Sequence, residues 1–272
     1  MTINRQIIFS VCLLSCLSGS QAFAQGLLFY LPEDKTGIEY EGTIEQTTIR
    51  TDIAEGKETM TKAREMSIKS VGRENAEFQG TVQPCRWIEI KIVTGTAGEA
   101  GIDPGPVGSR IYKVLVPEAK IIANPTDADS VPNITLPIVK GYRRTGESQV
   151  QTLKSNALGI YPTVCQLINY PKPELIAASE SPQTKATNQS FNAKHMRGRH
   201  VMESTDTRST NEGHFWVDSN VPFGVIRWEV VVTREKKETT AARDQFQEVE
   251  TTRTTMSVKR ILTVAESELV TQ

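Results

Sequence analysis

The chain is short of strong charge, of aromatics and of catalytic signatures. Its 31 Lys and Arg residues against 32 Asp and Glu leave a net charge of −1, so its electrostatics point neither to nucleic acid nor to anionic lipid headgroups. Past residue 24 no apolar run approaches the roughly 20 residues that a membrane-crossing helix needs. No Ser occupies a nucleophile elbow, and there is no His-Glu-x-x-His pair. Gly105-Pro106-Val107-Gly108 has a proline where a phosphate cradle would need a donor. Histidine is limited to His195, His200 and His214. His195 and His200 are five apart, so on a strand they face opposite sides, a poor spacing for a shared metal. These absences leave an enzyme or metalloprotein without support and imply no cofactor. No solenoid repeat is present.

What is present begins with a leader. Arg5 precedes an apolar run, Ile7-Ile8-Phe9-Ser10-Val11-Cys12-Leu13-Leu14, and Ala22-Phe23-Ala24 precedes Gln25. Small residues three and one before the cut suit signal peptidase, so residues 1–24 are expected to be a signal peptide. A rival is a loose lipoprotein box, Leu13-Leu14-Ser15-Cys16, with Cys16 as the acylated N-terminus. Ala22-Phe23-Ala24 is favoured, giving a soluble periplasmic or extracellular protein. Removing 24 of the 272 residues leaves 248, with net charge −2 once Arg5 is gone.

Of four cysteines, Cys12 and Cys16 fall in the leader, leaving Cys85 and Cys165. In an oxidising compartment such a pair reads as a disulfide. It would close a loop of roughly 80 residues, worth on the order of 4 kcal/mol.

Period-two alternation recurs along the chain. Ile38, Tyr40, Gly42 and Ile44 share one face, with Glu39, Glu41 and Glu45 on the solvated one. Met66 and Ile68 follow; then Ile88, Ile90 and Ile92; then Tyr112, Val114 and Val116. Later come Ile226, Trp228, Val230 and Val232, and finally Met256, Val258, Leu262 and Val264. One greasy and one polar side per strand is the signature of antiparallel sheet. The glycine-rich stretch 94–108 and the stretch 124–137 read as loops. Val150, Leu153, Ala157 and Leu158 have helical spacing with Gly159 as terminator. The expectation is mainly β (α+β). Residues 25–272 form a single domain, a strongly curved antiparallel sheet or half-barrel of about eight long strands, packed on one or two helices with a helix-containing crossover near 146–180.

The most individual segment is His214-Phe215-Trp216-Val217-Asp218-Ser219-Asn220-Val221-Pro222-Phe223-Gly224-Val225. It reads as an aromatic strand, a turn and an apolar strand through Trp228. Its aromatics either fill the core or rim an apolar pocket. In the second reading Trp216, Val221, Phe223 and Trp228 are the ligand-binding candidates.

Trp216 and the Val221-Pro222-Phe223-Gly224 turn leading to Trp228 resemble the hairpin of LolA-like envelope proteins. That resemblance covers about 40 residues and implies an unclosed β half-barrel over helices, able to hold acyl chains. Leu28-Phe29-Tyr30-Leu31-Pro32-Glu33-Asp34, Arg86-Trp87-Ile88-Glu89-Ile90-Lys91 and Tyr112-Lys113-Val114-Leu115-Val116-Pro117-Glu118 look similar to exported proteins of planctomycete-type bacteria, which bring no known activity. The expected partner is a hydrophobic ligand or an envelope protein, with no nucleic acid and no transmembrane span. The function expected is a non-enzymatic envelope protein binding lipid in the concave face of the sheet. The alternative is a structural or protein-interaction module without a ligand cavity. A hydrolase would require a nucleophile clustered with one of the histidines.

Overall fold

The computed structural model describes residues 26–121, 134–161, 163–184, 186 and 189–270. The leader reading of 1–24, with Cys16, lies outside the described residues, as does most of the 124–137 stretch.

Fourteen strands occur among the described residues. The first half holds β1 (Gly37–Ile49), β2 (Lys57–Phe78), β3 (Thr81–Gly98), β4 (Gly101–Asp103), β5 (Arg110–Pro117), β6 (Thr135–Pro137), β7 (Lys140–Thr145), β8 (Gln151–Thr152) and β9 (Ala157–Gly159). The second holds β10 (Glu174–Glu180), β11 (Ala193–Glu203), β12 (Thr207–Val217), β13 (Val225–Lys236) and β14 (Gln247–Leu262). The protein is therefore mainly β, with 60% of the described residues in strands and 4% helical.

Eleven strands follow one path, β10-β11-β12-β13-β14-β1-β2-β3-β5-β7-β8, and β4 pairs with β3 to complete a twelve-stranded sheet. Its pairs are antiparallel and the two ends of the path do not meet, so the sheet is open. Two meanders are joined at their first and last strands, where β1 runs against β14 from Gly37↔Leu262 to Thr48↔Glu250. β6 and β9 form a separate two-stranded ribbon.

Alternation sets the two faces. Tyr40 is paired with Met66 and Val258, and Met256 with Trp228; all five are at most 3% exposed. Glu39, Glu41 and Glu45 point the other way, where Glu39 meets Arg260 and Glu41 meets Lys259. The apolar face, called inner below, is covered by the chain itself. Leu27, Leu28, Val164, Cys165, Leu167, Ile168 and Tyr170 are buried in one cluster with it. Burial at this scale, roughly 25 cal/mol per Å² of apolar area, is what stabilises the sheet.

Three expectations are corrected. The sheet has twelve strands rather than about eight, because weakly apolar segments such as β7, β10 and β11 also join it. The segment 146–180 carries no helix among its described residues; it contributes β8, β9 and β10. Ser155 turns the chain there, its hydroxyl bonding both the carbonyl and the N–H of Ala157, and such local bonds compete with helix formation. Leu158 then pairs with Leu136 while Val150 stays 39% exposed, so the apolar stripe is divided between sheet and solvent. The one α-helix among the described residues is the single turn Glu118–Ile121.

The third correction is the disulfide. Cys85 and Cys165 are both free and buried. Cys85 lies on β3 in alternation with Trp87 and Glu89, on the outer face. Cys165 belongs to the inner covering segment, where its thiol contacts the Leu167 carbonyl at 3.3 Å. The sheet separates the two sulfurs.

Candidate functional site

The four candidate ligand residues do not form one site. Trp228 is 1% exposed on the inner face and meets the Tyr40 ring edge-on at 5.0 Å. Tyr40 in turn donates to the Val225 carbonyl at 2.9 Å. Phe223 is fully buried at φ 61°, and its carbonyl accepts the N–H of Phe29 at 2.8 Å. Val221 is 4% exposed in the same turn. Trp216 lies on the opposite face: it pairs with Arg227, whereas its neighbour Phe215 pairs with Trp228. Around Trp228 and Phe223 the inner space holds the chain's own side chains.

The outer face around Trp216 carries a polar cluster that sequence spacing did not reveal. Strands β11 and β12 pair His195 with Trp216 and Arg197 with His214, which brings the two imidazoles together on one face. His195 stacks on the Trp216 ring at 4.2 Å. Its Nδ1 lies 2.8 Å from Glu180 Oε2, and its Nε2 lies 3.0 Å from His214 Nδ1. An ionised carboxylate only accepts, so Nδ1 of His195 carries a proton; with both rings neutral, Nε2 accepts from Nδ1–H of His214. Burial, then the neighbouring charges of His195 and Arg197, holds His214 below the ordinary imidazole range. His200 faces the other side, as its spacing requires.

This hydrogen-bonded chain ends on imidazole. Among the described residues no hydroxyl or thiol is bonded to His214, so the nucleophile that a hydrolase needs is not joined to it. No group of three His, Cys, Asp or Glu among the described residues is arranged to hold a metal. The cluster instead pins a strand: Glu180 is the last residue of β10, and the Ser179 hydroxyl bonds Asn192 in the segment leading into β11.

β10 is one edge of the sheet. Its pairing with β11 has four register positions and two shifts. Its sequence is Glu174-Leu175-Ile176-Ala177-Ala178-Ser179-Glu180, uncharged between its two ends, and Leu175 and Ile176 are 53% and 46% exposed. The opposite edge, β8, is two residues long. Short edges and charged edges resist strand addition; β8 has the first protection, and the middle of β10 has neither.

Among the described residues, fold and site together define an open antiparallel sheet with a covered inner face and one edge strand, β10, whose centre is exposed and uncharged. No protein-family model matches the chain, and no curated protein sequence matches it.

Proposed function

We propose that this chain is a non-enzymatic, exported protein-interaction module of the cell envelope, and that it engages an extended segment of an envelope protein along β10. The observation that carries the reading is the exposed, uncharged centre of that edge strand beside a far edge only two residues long. Added strands gain backbone hydrogen bonds, and alternate side chains supply selectivity. The Glu180–His195–His214 chain supports this reading by holding the outer end of β10 to the sheet while its centre stays accessible. Lipid binding in the manner of LolA-like carriers has less support, because Trp228, Val221 and Phe223 are packed against the chain's own residues.

The test is site-specific photo-cross-linking from position 175 or 176 in intact producing cells. A stoichiometric protein adduct from the cross-linker at one of these positions, lost when the other position is replaced by Lys, is the expected result. A purified protein that carries an extractable amphiphile, with no adduct from β10, would replace this reading with the lipid one.

A further inference from the structure

Beyond β14 the chain crosses the outer face as an irregular strap that bends at 263–264 and again at 268–269. Val264 is 74% exposed, whereas Ala265 and Leu269 are 3% and 0% exposed. Ala265 N–H reaches the Lys35 carbonyl at 2.7 Å. The strap then closes around one carboxylate. Glu89, on the outer face of β3 and 1% exposed, accepts the Ser267 hydroxyl at 2.7 Å and the backbone N–H groups of Glu268 and Leu269 at 2.9 and 3.0 Å. Lys69 and Lys91 hold the Glu268 carboxylate at 2.5 and 2.6 Å, and Lys113 donates to the Leu269 carbonyl at 3.2 Å.

These contacts hold the strap residue by residue: a hydroxyl and two N–H groups for Glu89, an acid for two lysines, a buried aliphatic side chain. Three strands build it, since Lys69 is on β2, Glu89 and Lys91 on β3, and Lys113 on β5. The strap belongs to none of them. It pairs with no strand of the sheet and is held largely by side chains, so its release breaks no ladder.

We propose that the Glu89 clasp is a recognition site for a bent hydroxyl–acid–aliphatic segment, and that it takes Ser267-Glu268-Leu269 of a second copy of this chain in exchange for its own. The occupant is argued from the fit already present: another copy brings the same three residues and makes the same bonds, which is the condition for exchange of an identical element between protomers.

The test uses two full-length variants with complementary defects. Glu89→Gln disables the clasp and leaves the strap intact; Glu268→Lys sets the strap against Lys69 and Lys91 and leaves the clasp intact. Each alone is expected to be monomeric by native mass spectrometry, with circular dichroism confirming the fold. Mixed, with one copy isotope-labelled, they are expected to give a one-to-one dimer.

A fluorescent peptide of residues 264–270 is expected to bind Glu268→Lys saturably, and the double variant Glu89→Gln/Glu268→Lys at least about tenfold more weakly, as the loss of charged hydrogen bonds implies. Peptide binding without a mixed dimer would overturn the second copy as occupant. A folded Glu268→Lys that does not bind the peptide would overturn the site itself.

Discussion

The ring of Tyr170 lies directly on the backbone of Gly198. A Cβ on residue 198 would stand 2.0 Å from Tyr170 Cγ, and one on the cross-strand partner Gly213 would stand 2.1 Å from its Oη. The two glycines thus make a flat seat on the inner face for a ring that also stacks on Phe215 at 5.8 Å. The seated hydroxyl donates to Asn211 Oδ1 at 2.6 Å, and Asn211 Nδ2 donates to the Gln166 carbonyl at 2.9 Å. Thr254 completes the net with a 2.6 Å bond to Gln166 Oε1. This is how the covering segment is locked to the sheet.

Gly198→Ala is therefore expected to lower stability by about 2–3 kcal/mol through overpacking. Tyr170→Phe, which leaves the buried Asn211 oxygen without its donor, should cost about 1–2 kcal/mol. Gly98→Ala serves as the control, because its Cβ meets nothing closer than 3.5 Å; it should stay within about 0.5 kcal/mol. Urea unfolding of the three variants checks all of these.

Both thiols beyond residue 24 should be free and protected in the native state. Burial pushes the Cys165 thiol up to about 12 and the Cys85 thiol above its usual range, so neither offers a reactive thiolate at neutral pH. Alkylation followed by intact-mass measurement should show both cysteines unmodified in buffer and both modified in denaturant. Reductant should leave the melting temperature unchanged. A mass two protons lower with no labelling in denaturant would restore the disulfide.

Mild acid should weaken the fold. His214 and His200 are both held below the ordinary imidazole range, chiefly by burial, so the unfolded chain takes up their protons first as pH falls through about 6.5. In that window the unfolded state binds more protons, and stability declines as pH is lowered until the folded imidazoles also titrate. Melting temperatures between about pH 7.5 and pH 5.5 should fall, with a shallower slope in His214→Gln. An unchanged slope would show that the titration of His214 does not contribute.

Replacing Leu175 and Ile176 by Lys should leave folding stability within about 0.5 kcal/mol, because both side chains are half in water. The same change should abolish capture of a partner through β10, since charge on an edge opposes strand addition. Loss of stability without loss of capture would mean that β10 is structural only.

Much of the sheet was legible from alternation alone. The stretches around Ile38, Ile68, Ile90, Val114, Val230 and Val258 all became strands, because each carries a one-sided apolar stripe that only a shared face can bury. Strands without such a stripe were missed. In β11 the outward His195, Arg197 and Arg199 alternate with Lys194, Met196, Gly198 and His200, so hydrophobic period carries no signal; the regular spacing of the basic residues was the one available hint. The helix read into 150–158 failed because four apolar positions at helical spacing do not outweigh turn chemistry at Ser155.

The amino-acid order by itself determined the class, mainly β and antiparallel, and the alternation within each strand that carries an apolar stripe, because side-chain alternation is a local property of an extended chain. Tertiary structure decided everything that depends on register and on what crosses a face. It placed Cys85 and Cys165 on opposite sides, sent Trp216 outward and Trp228 inward, set His195 beside His214, and wrapped residues 267–269 around Glu89. Those outcomes follow from pairing between residues far apart in the chain, and a one-residue change in register would have reversed each face.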